Sequence, residues 1–375
     1  MMKQYEEVFF SILKTALWGH PLDIPEGFKL WGKVMKLAKI HALTGLVGEV
    51  MMTAPRILNT LPEQAVATLQ EIPLSNMAIH TMLNNTLILV VTTLREHGID
   101  PVLLKGQGVA KYYPVPELRQ CGDIDLYVGE QNYETAYDAL RPIVTEIEDK
   151  ETIYDEVKHF HAKLGSVLVE VHRFAEVNAN PKYDRVYQKY ASEGLSRNLV
   201  AIDFGRVRVN TPADDFNVYY IFNHLWHHFM TSGVGLRQVC DLAIFLNTHN
   251  VNEDYLRNIL TEMNAMSSWN AVGNLLVSYL GLPVDRIPLC SPMPKWKVRL
   301  LSRMILNEGN FGQKTNFTRT RSKSYLAEKA TSLFCHLKRQ FLIFLILPGV
   351  ALRQLQHILS AGFRQVFIDM TGRSR

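Results

Sequence analysis

Two aspartates two residues apart, Asp123 and Asp125, sit in the run Asp123-Ile124-Asp125-Leu126-Tyr127-Val128. Side chains alternate along a strand, so both carboxylates would share one face, with Ile124, Leu126 and Val128 on the other. Neighbouring carboxylates repel, and each tends to be protonated unless a positive charge lies between them. A divalent cation supplies that charge. Mg2+ prefers oxygen donors and takes a few carboxylates with waters and substrate phosphates. A third acid, Glu170, interrupts the apolar run Val167-Leu168-Val169-Glu170-Val171-His172, where it shares a face with Leu168 and His172. A charge in the middle of such a strand needs a partner. If the two strands are neighbours, Asp123, Asp125 and Glu170 form a site suited to two metals about 4 Å apart, clamping an in-line attack on phosphorus.

Upstream, Lys105-Gly106 falls where a short apolar strand, 101–104, gives way to a short helix ending near Tyr113. Backbone N–H groups at a helix start favour phosphate, and glycine lets it approach closely. Lys105 or Arg119 would offset triphosphate charge. A D-x-D pair is common by chance, and Lys-Gly carries nothing alone. The ordered combination is the informative signal: strand, glycine, short helix, D-x-D strand, then an acid in a later strand.

The elements that must hold these residues follow from periodicity. Residues 1–97 read as helical, with apolar spacing of three and four over 6–18, 28–52 and 74–97 and Gly98 as a cap. Residues 98–175 change pattern. Strands are expected near 101–104, 124–128, 143–147, 157–164 and 166–172, with a helix over 131–140. Helical periodicity resumes at Thr211, read as a cap before Pro212, and continues to about Tyr279. Four prolines in 280–295 mark a boundary. The expected organisation is an N-terminal helical region 1–97, an α/β core 98–175, a helical region 176–290 and a basic helical region 291–375. The fold class is α+β: a small mixed sheet flanked by helices.

The chain has 375 residues, 47% apolar and 20% charged, with a net charge of +4, which excludes wholesale disorder. Four scattered cysteines without a C-x-x-C pair point to a reduced, cytoplasmic chain and away from a cysteine zinc site. Acids at Glu6 and Glu7 argue against an export signal. The longest apolar run, Phe341–Leu352, is twelve residues, short of the ~20 that cross a membrane. It reads as a buried helix kinked at Pro348, or as a helix lying on a membrane surface. From Lys295 to Arg375 there are 15 Lys and Arg against 3 acids, a net of +12, while the rest carries 25 against 33, a net of −8. Such asymmetry suits nucleic acid, an anionic membrane or an acidic partner, or a solvated face docked on the body.

The ordered cluster resembles the nucleotidyltransferase superfamily with the polymerase-beta-like fold, which opens its site with a glycine motif, follows with D-x-D or D-x-E, and adds a third carboxylate later. More closely, it resembles a bacterial group of poorly characterised nucleotidyltransferases. The matching stretches are Leu103-Leu104-Lys105-Gly106, Tyr113-Pro114, Arg119, Asp123-Ile124-Asp125-Leu126 and Val169-Glu170-Val171-His172. The likeness extends over about residues 30–250, including His224, Gly235, Arg237 and Asp241 downstream. It implies Asp123, Asp125 and Glu170 as metal ligands for Mg2+ or Mn2+, with Glu170 also helping to activate a hydroxyl. It implies Lys105, Gly106 and Gln107 around the triphosphate, with Arg119 nearby. The usual serine after the glycine is Gln107 here.

The resulting expectation is a metal-dependent transferase that moves a nucleoside monophosphate from a triphosphate such as ATP to an acceptor hydroxyl, releasing pyrophosphate. Two rivals stand beside it: a D-x-D glycosyltransferase using Mn2+ and a nucleotide-sugar, and a non-catalytic module on the same fold that docks nucleic acid through residues 295–375. His172, His161 and His224 are candidates to face substrate. His224 and His228, one helical turn apart, could bind zinc, but no H-E-x-x-H glutamate is present, and a structural or substrate-facing role is favoured, with Asp241 as a candidate partner. His159 and His161 share a strand face near Glu170 and read as structural. Trp226, Trp269 and Trp296 read as core, and Asp214-Asp215 as acids at a helix start.

Overall fold

Apolar spacing folds the N-terminal part into helices. α1 (Gln4–Trp18) buries Val8, Phe9, Ile12 and Leu13, and ends at Gly19 with φ 70°. The computed structural model describes residues 2–150, 158–310 and 337–354. The helix expected over 28–52 is two: α2 (Trp31–Ile40) and α3 (Thr44–Thr53). Between them Ala42 takes φ 54°, left-handed backbone that a right-handed helix does not continue through. After the short α4 (Pro55–Leu58) comes α5 (Glu63–Glu96), which starts before Pro73 rather than after it. The proline removes one helical hydrogen bond, yet α3 packs on both sides of it: Gly48 lies against Leu69 and Ile72, and Gly45 against Asn76. By length and composition alone α5 is long and apolar enough to cross a membrane, a test that a core helix also passes. Its Leu83, Leu87, Val90, Val91 and Leu94 are buried in the core beneath the sheet.

Seven short strands among the described residues form one mixed sheet. They are β1 (Val102–Leu103), β2 (Asp123–Tyr127), β3 (Glu146–Ile147), β4 (His159–Leu164), β5 (Val167–His172), β6 (Val200–Asp203) and β7 (Arg208–Thr211), in the order β3-β4-β5-β2-β1-β7-β6. β2 is parallel to β5 with Asp125 opposite Glu170, and β4 is antiparallel to β5 with His161 opposite Glu170. The apolar face, including Ile124, Leu126, Phe160, Val169 and Val171, packs with α5 and α6 (Tyr133–Leu140). The other face carries the polar residues.

Two expectations are corrected here. The sheet draws its last two strands from 200–211, so the α/β core does not stop at residue 175. Thr211 ends β7 instead of capping a helix: α8 (Asp214–Thr231) starts after Ala213, with Asp214 and Asp215 in its first turn. The expected strand start at Val157 lies outside the described residues.

α7 (Pro181–Gly194) connects β5 to β6 along the chain. Helices α8, α9 (Leu236–Thr248), α10 (Glu253–Glu262) and α11 (Met266–Leu275) build the second core with α1 to α3, and a π-type turn over Leu276–Leu280 ends the last of them. That turn meets the first helix: Trp18 Nε1 donates to the Leu280 carbonyl at 2.6 Å, and the Phe10 and Tyr279 rings lie 5.0 Å apart. α12 (Lys295–Glu308) is followed, after the undescribed 311–336, by a helical segment over 337–354 that breaks before Pro348 as expected. It is only half buried. Ile343, Ile346, Leu347 and Val350 face inward, while Leu337, Phe341, Phe344 and Leu352 are exposed, as is Trp296, which is not core. Most of the basic region expected to meet an anionic partner, 311–336 and 355–375, lies outside the described residues.

Gly45 fixes how closely α3 approaches the turn before Arg119. A Cβ there would stand 2.2 Å from the Leu118 carbonyl oxygen and 2.6 Å from Asn76 Nδ2. Backbone cannot yield cheaply, so Gly45→Ala should cost about 3 kcal/mol, read as a lower midpoint in denaturant. An unchanged midpoint would contradict this packing.

Candidate active site

The sheet's polar face and helices α8 and α9 enclose a cavity of about 210 Å3, lined among others by Lys105, Gly106, Asp123, Asp125, His159, Glu170, His224, His228 and Arg237. Ligand pockets commonly run ~300–1,000 Å3, so this one suits the reacting end of a substrate rather than a whole nucleotide. All three predicted acids line it. Parallel pairing of β2 with β5 sets Asp125 beside Glu170, and alternation returns Asp123 to the same face.

Asp125 is the buried centre, 1% exposed. Its Oδ1 accepts from Lys105 Nζ at 2.8 Å and lies 3.1 Å from His172 Nε2. Its Oδ2 is buried with no hydrogen-bond partner. Burial alone would push this carboxyl up, but Lys105 and His172 hold it well below the usual carboxylate range. Glu170 is likewise held low against burial, through His172, whose Nε2 is 3.4 Å from Glu170 Oε2. Asp123 moves the other way, raised by the Asp125 charge and by burial. Lys105 is itself held protonated, its burial outweighed by Asp125, Asp123 and Glu170. A bare carboxylate oxygen beside two more acids and an imidazole is a donor set that fits a divalent cation. The ligand atoms of Asp125, Glu170 and His172 all lie within 4.8 Å of one another.

Other predicted residues are placed differently. Arg119 lines the cavity, but not as a free cation. It is 4% exposed, and Asp241 accepts from its Nε and its Nη2, each at 2.7 Å. Asp241 also accepts from Tyr113 OH at 2.8 Å, so it partners Arg119 and not His224. Gln107 is 1% exposed and absent from the cavity wall. Gly106 borders the cavity with φ 56°, backbone that glycine adopts most readily. His172 is fully buried behind the acids, and His161 bonds Glu148 beside Glu170. His224 lines the cavity with its ring against His228, centroids 4.4 Å apart, and belongs to no metal-ligand group among the described residues. Arg237, to which the family resemblance points and periodicity does not, lines the cavity and donates to the Gln120 carbonyl at 2.8 Å. Its position one residue into α9 was legible, but its direction was not. Cys121, Cys240 and Cys290 are free thiols.

Burial, then the Lys105 and His227 charges, hold His228 down to about 4. The unfolded chain takes that proton near 6.5. The contribution of neutral His228 is therefore intact above about 6.5 and declines as pH falls toward 4, by ~3 kcal/mol. His228→Gln should lose less stability than the parent between pH 7.5 and 5 in denaturant titrations. Parallel pH slopes for the two would contradict it.

The cavity is thus walled by carboxylates on adjacent strands of a mixed sheet, with a lysine and a glycine beside them. Residues 29–280 match the family described as "uncharacterised nucleotidyltransferase", and the chain belongs to that family. No curated protein matches it. Among solved structures it is similar to an antigenic nucleotidyltransferase-like protein from Paracoccidioides brasiliensis, at 14% identity over 50% of this chain and 90% of that one, with a TM-score of 0.33.

Proposed function

We propose that this protein transfers a nucleoside monophosphate from a nucleoside triphosphate to an acceptor hydroxyl, in a reaction that depends on Mg2+ or Mn2+. The observation that carries the reading is Asp125 beside Glu170 in register, with Asp125 Oδ2 buried and unpartnered and both aspartates lining one cavity. Asp125, Glu170 and Asp123 would hold the cation, which when bound would offset charge on the triphosphate. Lys105 keeps Asp125 ionised and oriented. His172 orients both Asp125 and Glu170. Glu170, ionised, is placed to take the acceptor's proton as its oxygen attacks the α-phosphorus and pyrophosphate leaves. Gly106 keeps the wall clear of side-chain atoms where phosphate would approach, and Arg237 supplies positive charge there. Catalysis of this kind is positioning and charge neutralisation.

The test incubates purified protein with Mg2+ and each α-labelled triphosphate, alone and with cell extract. Label retained on protein, RNA or a small molecule, with pyrophosphate released, is expected. Turnover of a nucleotide-sugar with Mn2+, and none of any triphosphate, would replace this reading with glycosyl transfer.

A further inference from the structure

Beyond the three acids, the same face of the sheet carries a second donor cluster. His159 and His161 stand two apart on β4, and antiparallel pairing puts His161 opposite Glu170 and His159 opposite His172. The Nε2 atoms of His159 and His161 face each other at 3.2 Å. Glu170 Oε1 is 3.7 Å from His161 Nε2, and Oε2 is 4.0 Å from His159 Nε2. Glu148 fixes the tautomer. Its Oε2 accepts the His161 backbone N–H at 2.8 Å, and its Oε1 lies 2.8 Å from His161 Nδ1. A carboxylate on Nδ1 places the ring proton there and leaves the Nε2 lone pair pointing at His159 and Glu170.

We infer that His159, His161 and Glu170 form a site for a transition-metal cation of the Zn2+ class, distinct from the Asp125 position and sharing Glu170 with it. With metal–nitrogen bonds of about 2.0 Å and a tetrahedral angle, two imidazole nitrogens come to stand roughly 3.3 Å apart. The His159–His161 separation is close to that, and one Glu170 oxygen, already within 4.8 Å of both ring nitrogens, must move in toward them. Two nitrogens and one oxygen select zinc, cobalt or nickel over magnesium. Three protein donors leave a fourth position open, as at zinc sites that bind water or substrate. Glu148 is the carboxylate behind the histidine that orients such a ligand. The inference stands without the transferase reading, because it concerns occupancy and not turnover.

The test strips the full chain with a chelator and titrates it with Co2+. The expected result is the visible absorption of a four-coordinate nitrogen site that saturates at one equivalent of Co2+, displaced by Zn2+ and not by millimolar Mg2+. His159→Ala and His161→Ala should each weaken binding by at least ~100-fold, and Glu148→Gln by ~10–100-fold. If the variants misfold, X-ray absorption of the zinc-loaded parent decides, with two imidazole nitrogens expected in the coordination sphere. No binding at micromolar metal would overturn the inference, leaving only a hydrogen bond between the two rings. Binding indifferent to both histidines, or an all-oxygen sphere, would overturn it too.

Discussion

Asp125→Asn should abolish nucleotidyl transfer, by at least ~10^3-fold, a barrier increase of about 4 kcal/mol. The substitution removes the charge on which Lys105 and His172 converge and the oxygen left bare for a cation. It also strands Lys105, whose side chain is 20% exposed, so stability should fall by ~3 kcal/mol. The two effects separate in Asp125→Asn/Lys105→Met, which removes the stranded charge. That protein should recover much of the stability and none of the transfer, measured by denaturant titration and by transfer of the α-label. Full transfer in either variant would sink the assignment of Asp125 to the reaction.

The second large effect is structural. Asp241→Ala leaves the Arg119 guanidinium buried without its carboxylate and takes the acceptor from Tyr113. Breaking such a pair costs about 3–5 kcal/mol, whereas replacing both charges by apolar groups of similar volume can be nearly neutral. Thermal unfolding of Asp241→Ala should shift down by roughly 5 °C, at ~1–2 °C per kcal/mol for a chain of 375 residues. Arg119→Met/Asp241→Leu should recover most of that shift. An additive double variant would show that the pair does not act as a unit.

Why the acids were legible and Arg119's partner was not is a matter of range. Asp123, Asp125 and Glu170 announce themselves locally, because alternation along a strand fixes a side chain's face within a few residues. Only the pairing of β2 with β5 had to be supposed, and the structure provides it. Arg119 and Asp241 are 122 residues apart, and nothing local in either segment reveals that they meet. A lysine beside a glycine reads as a phosphate ligand until packing turns it onto Asp125. The hairpin over 200–211 carried its own signal, alternation around Gly205 at φ 86°, but its strands are four residues each and sit between longer helices. Trp296 shows the limit of composition: an indole predicts burial on average, yet this one is 54% exposed.

The bond from Trp18 to the Leu280 carbonyl spans 262 positions of the chain. During synthesis at about 5–20 residues per second, the first helix would wait on the order of tens of seconds for the turn that covers it. Until then its Phe10 face would have no native partner on that side. Folding is slowed when such distant contacts must close. The nascent chain therefore passes through a period in which its earliest segment is most open to chaperones and to self-association, and a fragment ending before residue 280 would remain in that condition.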